Sequence, residues 1–274
     1  MRTLIAFACE GESLAATLDE AEGSTGLLIV SGGNEIRSGA HRGMAMLAHR
    51  LAAAGIPVFR YDRRGVGDST AGIPVFRYDR RGVGDSTGDN NGFLSAEPDL
   101  IAAADAFRRA APGVSRLVGF GNCDAASTLA LFGRSAGIDR IIVANPWVVQ
   151  PIDDLPPAAA IRARYHSALR DPATWGRALT GKVSFTKLLR GLRRVLAAKT
   201  ERASLATNVL TALDGWHDDA AIVLATGDAT AIAFAARYRG GVKVKRFDTA
   251  SHSFAGAENA ATLYAAIVDG MAQE

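Results

Sequence analysis

Short apolar runs rich in β-branched residues alternate with helical segments through most of this 274-residue chain, and that alternation leaves few folds open. Residues 26–31 (GLLIVS) are followed by Gly32-Gly33, as a buried strand closed by a turn would be. Residues 41–54 place Met44, Leu47 and Leu51 on one helical face and stop at Gly55. A strand at 57–61 (PVFRY), a helix at 98–111, a strand at 115–120, a helix at 124–132 and a strand at 138–144 continue the rhythm. It resumes with strands at 220–226 and 242–247 and a closing helix at 257–271. This order predicts an α/β protein with a mainly parallel central sheet flanked by helices on both faces.

Two segments depart from the rhythm. Residues 54–70 and 71–87 are the same seventeen letters, AGIPVFRYDRRGVGDST, in tandem. The copy is too short and too exact for a solenoid, and marks either a recent in-frame duplication or an error in the determined sequence. Only one PVFRY can fill the strand slot. The first is favoured because a short loop joins it to the preceding helix, with the spare copy extruded. The second departure is 149–214, which is helical in pattern, basic and without a clear strand. An insertion after a sheet strand predicts a helical cap, with 1–148 and 215–274 forming the core.

Composition narrows the function classes. No run of eighteen apolar residues exists to span a membrane, and MRTLIAFACE is too short in its apolar part for a signal peptide. Two cysteines, Cys9 and Cys123, form neither a CxxC pair nor a disulfide framework, so a reducing cytoplasmic compartment is expected. From 160 to 202 there are eleven Lys or Arg against two acids, a net of +9, which leaves −6 for the rest of a chain of formal charge +3. Leu188, Leu189, Leu192, Val195 and Leu196 recur there at helical spacing among Arg190, Arg193 and Arg194. Three readings stay open: a cap helix packed on the core, a peripheral contact with an anionic membrane surface, or reception of an anionic substrate. The stretch has few aromatics and no nucleic-acid motif, so nucleic acid is not an expected partner.

The chemistry centres on Gly121-Asn122-Cys123-Asp124-Ala125, between a strand and a helix. Gly-x-Cys-x-Ala is a relative of the nucleophile elbow Gly-x-Ser-x-Gly, whose tight turn requires small residues two before and two after the nucleophile. Asn122 and Asp124 read as free to vary. The sulfur would project at a helix N-terminus, which favours the thiolate; the alternative is a small, inert buried cysteine. Asp228 and His252 each follow a later strand, and Cys123, Asp228, His252 is the nucleophile–acid–base order of this elbow class. Asp248 is a weaker acid candidate, at the end of the same strand that precedes His252. Of the five histidines, only His252 has this context. The amides of Asp124 and of Gly33 or Asn34 are the candidate oxyanion hole, although Gly32-Gly33 also reads as an ordinary tight turn. Asp124 poses a question, because a carboxylate beside a thiol raises its pKa unless paired or turned away.

LIVSGGNEIRSGAHRG (28–43), FRYDRRGVGDS (59–69), GFGNCDAAS (119–127) and ANPWV (144–148) together resemble an α/β-hydrolase family associated with exosortase A. Its genes accompany bacterial systems that sort PEP-CTERM proteins and make extracellular polysaccharide. The resemblance spans nearly the whole chain and implies the α/β-hydrolase fold and a hydrolase, without a substrate. It matches Cys123 to the family's elbow, and Asn34, Glu35 and Arg37 to its characteristic loop. Glu35 and Arg37 would either bind substrate or pair to hold that loop. Trp147, at the base of the cap, would line the pocket or pack.

The implied reaction is hydrolysis of an ester or thioester, small or carrier-bound, through an acyl-cysteine. Acyl transfer on the same site is an alternative, as is a non-catalytic binding protein of the hydrolase type. No metal or other cofactor is implied, and the oligomeric state is left open.

Overall fold

The structure, a computed structural model, describes residues 1–33, 35–64, 92–149 and 205–272. Met1–Val148 together with Asn208–Glu274 form one compact unit, and Val149–Thr207 a second. The basic stretch 160–202, the second copy of the repeat and Asn34 lie outside the described residues.

The sheet of the larger unit starts earlier than the apolar pattern predicts. Arg2–Cys9 (β1) and Glu12–Asp19 (β2) pair antiparallel in register from Arg2↔Asp19 to Cys9↔Glu12. Glu10 and Gly11 make the two-residue turn with φ of 48° and 85°, the double positive φ that matches strand twist in a tight hairpin. Thr25–Val30 (β3) follows, and Ala40–Arg42 form a 3-10 turn before helix α1 (Gly43–Ala53). His41 therefore precedes the helix, at φ 52°.

Strand β4 is Val58–Tyr61, so the first copy of the repeat supplies it, and all four residues are buried. It lies between β2, antiparallel, and β3, parallel. Helix α2 (Glu97–Ala110), β5 (Arg116–Asn122), α3 (Asp124–Phe132) and β6 (Arg140–Ala144) follow. After a helix over 205–214 (α4) come β7 (Ala220–Ala225), α5 (Ala229–Ala235), β8 (Val244–Phe247) and α6 (Ala257–Ala272). Residues 208–214 belong to the larger unit rather than to the predicted insertion. Val209 and Leu213 are fully buried, and Trp216 Nε1 donates to the Ala130 carbonyl at 3.0 Å.

The eight strands run in the order β1-β2-β4-β3-β5-β6-β7-β8, parallel from β4 to β8. Leu27, Ile29, Val118, Phe120, Ile142 and Val223 form the core on one face, under Leu47 and Leu51 of α1 and Leu263 and Ile267 of α6. On the other face Phe107 of α2 stacks on Phe59 at 5.2 Å, and Leu129 of α3 lies over Gly119. Each large side chain so buried stabilises the sheet by about 1.5–3 kcal/mol. The chain leaves β3 toward β4 on one side and returns to β5 on the other. Loops at the C-terminal ends of β3 and β5 therefore diverge, opening the crevice where such sheets place their sites.

Among the described residues no helix is long and apolar enough to cross a membrane.

Candidate active site

Strand β5 runs into α3 through Cys123, whose backbone adopts φ 63° and ψ −124°. A non-glycine residue is held there only when its surroundings over-determine it. The Cys123 amide donates to the Ala144 carbonyl at 3.0 Å, and the Trp147 amide donates to the Cys123 carbonyl at 3.1 Å. The turn is also closed sterically. A Cβ on Gly121 would lie 2.8 Å from the Ala125 backbone, and one on Gly32 would lie 2.7 Å from the Asn122 carbonyl. These are the close approaches that the elbow reading requires of small residues.

Asp228 caps α5, its Oδ2 accepting the amides of Thr230 and Ala231 at 3.0 Å each. Its Oδ1 lies 3.0 Å from His252 Nδ1. A carboxylate can only accept, so Nδ1 carries the proton and Nε2 is left as the basic nitrogen. Asp248 lies elsewhere, with Thr226 Oγ1 at 3.5 Å. In this arrangement His252 contacts Asp228, and no hydrogen bond joins Cys123 to the His252 ring.

The loop carrying His252 is tied to the elbow by two asparagines. Asn122 Nδ2 donates to the His252 carbonyl at 3.0 Å, and Asn145 Nδ2 donates to the same carbonyl at 3.2 Å and to Asn122 Oδ1 at 3.0 Å. Asn145 Oδ1 accepts the Ala225 amide at 2.9 Å. Asn145 is fully buried at φ 43°, a conformation asparagine adopts more readily than most residues. One side chain thus joins the ends of β5, β6 and β7 to the histidine loop. Asn122, read from the sequence as free to vary, is fixed by this duty.

Asp124 is not free either. Its Oδ1 accepts the Gly33 amide at 2.5 Å, and its Oδ2 lies 3.5 Å from an Arg63 guanidinium nitrogen. Arg63 is buried and also donates to the Gly33 carbonyl. The Gly33 amide, a candidate oxyanion donor, is therefore directed at Asp124, and the Glu35 amide donates to the Gly32 carbonyl at 2.9 Å. Asn34, the other loop candidate, is outside the described residues. The Asp124 amide sits beside the Cys123 sulfur.

Glu35 and Arg37 do not pair with each other among the contacts described. Arg37 turns to Asp62, as an ion pair and through its own amide at 2.5 Å, and donates from Nε to Thr17 Oγ1 at 3.0 Å. It anchors the loop to β2 and β4. Glu35 faces the site, within electrostatic reach of His252, Asp124 and Cys123. Although partly open to solvent, its carboxyl is pushed up by burial, against the pull of His252. Trp147 is half-buried, and its carbonyl accepts Ser127 Oγ at 2.6 Å.

The Cys123 thiol is pushed up to about 12, by burial first and then by the Asp124 charge, with smaller contributions from Asp228 and Glu35. The Asp124 amide pulls the other way without prevailing. The thiol is thus neutral at rest, because burial and the nearby carboxylates together outweigh the Asp124 amide. Arg63, Asn122 and Asn145 are the residues around the site that the sequence reading missed, and the Asp124 carboxylate, which it questioned, is paired yet still raises the thiol. Arg63 stands in the FRYDRRG segment, where a charged pair after a strand was the available signal.

No protein-family model and no curated protein matches the chain. Solved structures do. An esterase from Pyrococcus furiosus is similar over 99% of this chain and 93% of its own, at 11% identity and a TM-score of 0.58. An enol-lactonase from Burkholderia xenovorans covers 97% and 99% at 16% identity and 0.53. An α/β serine hydrolase without a lid from Xanthomonas campestris covers 98% and 93% at 14% identity and 0.53. With the strand order, the elbow at the end of β5 and the acid and histidine after β7 and β8, these likenesses establish that the chain has the α/β-hydrolase fold.

Proposed function

We propose that the protein is a cysteine-dependent acyl hydrolase acting on ester or thioester bonds, with Cys123 as nucleophile, His252 as base and Asp228 as the orienting acid. The observation that carries this reading is the Asp228 Oδ1 to His252 Nδ1 contact of 3.0 Å, set beside a cysteine held at φ 63° on a strand-to-helix turn. The neutral thiol fits a mechanism in which its proton passes to His252 Nε2 as sulfur attacks the carbonyl carbon. The leaving alcohol or thiol then takes that proton, and the acyl group stays on sulfur. The Asp124 amide, which lies beside the Cys123 sulfur, would serve as one oxyanion donor. A second donor requires either release of the Gly33 amide from Asp124 or the Asn34 amide. By the sequence resemblance, the protein serves an exosortase-associated system.

Incubation with p-nitrophenyl butyrate followed by intact-mass analysis tests the assignment. An acyl adduct on Cys123, absent in Cys123→Ala, is the expected result. Equal ester hydrolysis by the two proteins would overturn it and leave a binding protein of hydrolase fold.

A further inference from the structure

Among the described strands, β4 alone is encoded twice. Residues 54–70 and 71–87 are identical, so each residue of the β4 segment has a copy seventeen positions on. The slot it fills is demanding. Phe59 is fully buried and stacks on Phe107 at 5.2 Å, and Arg60, also buried, pairs with Asp19 at 2.9 Å. Just past the strand, Asp62 pairs with Arg37, Arg63 reaches Asp124 at 3.5 Å, and Arg64 pairs with Asp99 at 2.5 Å. Phe76, Arg77, Asp79, Arg80 and Arg81 repeat this set in the same order and spacing. The approach to the strand is repeated as well. The Gly55 carbonyl accepts the Gly23 amide at 3.0 Å and the Pro57 carbonyl accepts the Leu27 amide at 2.9 Å, and Gly72 and Pro74 stand at the same offsets in the second copy.

We infer that the protein folds in two frames, one with Val58–Tyr61 as β4 and one with residues 75–78 in the same slot. The side chains that fill the slot are the same in both, so the connecting chain sets the balance between them. In the first frame four residues (54–57) join α1 to the strand, and 27 (65–91) lead from Arg64 to Gly92. In the second these connections become 21 residues (54–74) and ten (82–91). A closure entropy that grows with the logarithm of length favours the first frame by only about threefold, which leaves roughly a quarter of the molecules in the second. Either frame builds the same site, with Asp79 in the place of Asp62 and Arg80 in the place of Arg63. What changes is the end of the sheet from which the extra seventeen residues leave. They follow β4, at the end that carries Gly33, in the first frame, and precede it, after α1, in the second. Because β4 lies between β2 and β3, one frame reaches the other only through opening of the sheet, and the choice is made as the chain folds. Two packings of one sequence so close in free energy make a fold-switching pair.

Intact mass comes first, and a chain one copy short overturns the proposal. Phe59→Asp, Phe76→Asp and the double variant are then refolded from urea, and their unfolding curves are compared with that of the wild type. An aspartate in place of the buried, stacked phenylalanine bars its copy from the slot. Phe59→Asp should lower the folding constant by about fourfold and Phe76→Asp by less than about twofold, each losing only its own frame, while the double variant does not fold. Loss of folding in Phe59→Asp alone, with Phe76→Asp like the wild type, means a single frame and overturns the proposal. So does a double variant as stable as either single one. The populations are read directly with Val58→Cys in a background of Cys9→Ala and Cys123→Ala. Val58 is fully buried in the first frame and belongs to the connection before the strand in the second. After a brief pulse of iodoacetamide, about a quarter of the refolded protein should carry the label, and complete protection overturns the second frame.

Discussion

The Asp124 carboxylate accepts the backbone amide of Gly33 at 2.5 Å, so the residue after the candidate nucleophile grips the loop that faces it. Arg63 closes the arrangement, reaching both the Gly33 carbonyl and, at 3.5 Å, the other Asp124 oxygen. The grip has an electrostatic consequence, because the same charge is the second cause, after burial, of the raised Cys123 thiol. Asp124 therefore orders the loop and restrains the thiolate at once.

Substituting Asp124 separates those two effects. Asp124→Asn keeps an acceptor for the Gly33 amide and removes the charge, so the Cys123 pKa should fall below its value of about 12. Iodoacetamide alkylation at fixed pH should then be faster than in the wild type. Asp124→Ala also releases the loop and leaves buried Arg63 without its carboxylate, at a cost of about 1–3 kcal/mol in chemical denaturation. Unchanged alkylation in Asp124→Asn would mean that the Asp124 charge does not govern the thiol.

Asp228 does two jobs with two oxygens, capping α5 and holding His252. Asp228→Asn retains an oxygen for one job only, and can leave the ring in the wrong tautomer. Ester turnover should fall by roughly 10²–10⁴-fold. Asp228→Ala loses the cap as well and should lower stability by a further ~0.5–2 kcal/mol. The measurement is a paired comparison of hydrolysis rate and urea midpoint. Wild-type turnover in Asp228→Asn would remove Asp228 from the relay.

Strands β3 to β7 were legible because each is a short apolar run next to a glycine or polar turn, as a sheet buried on both faces demands. The β1–β2 hairpin was not, because Leu4, Ala6 and Ala8 point outward from β1 and erase the alternation that marks a half-buried strand. Its one local sign was Glu10-Gly11. Asp228 and His252 could be paired in advance because both follow strands. The roles of Asn122 and Asn145 could not, since their shared partner is the His252 carbonyl, and a backbone group leaves no trace in sequence. The Arg63–Asp124 contact depends on two loops that meet only after β4 and β5 flank β3.

Asn145 offers a test of how far the histidine loop depends on its anchor. Asn145→Gly tolerates φ 43° yet loses every side-chain hydrogen bond, leaving the Ala225 amide without its acceptor. A stability loss of about 1–3 kcal/mol is expected. Asn145→Asp keeps the acceptor for Ala225 and loses the donation to Asn122 and His252. Turnover of p-nitrophenyl butyrate should drop in both variants with KM little altered, because the anchor orients the base rather than the substrate. A rise in KM alone would place Asn145 in substrate binding instead.

The two cysteines make stability depend on alkaline pH. Cys9 is raised from 9.0 to about 12 by burial and by Asp99, to which its thiol donates at 3.4 Å. Cys123 is raised to a similar value by burial and Asp124. In the unfolded chain both thiols ionise near 9, so above that pH the unfolded state loses protons that the native state retains. Folding stability is thus fully present below about pH 9 and declines as pH rises toward 12. The urea midpoint should fall between pH 8 and pH 10.5, and less steeply in a protein carrying both Cys9→Ala and Cys123→Ala. An identical slope in wild type and double variant would assign the alkaline loss to other groups, such as the fully buried Tyr61, whose phenol burial also raises.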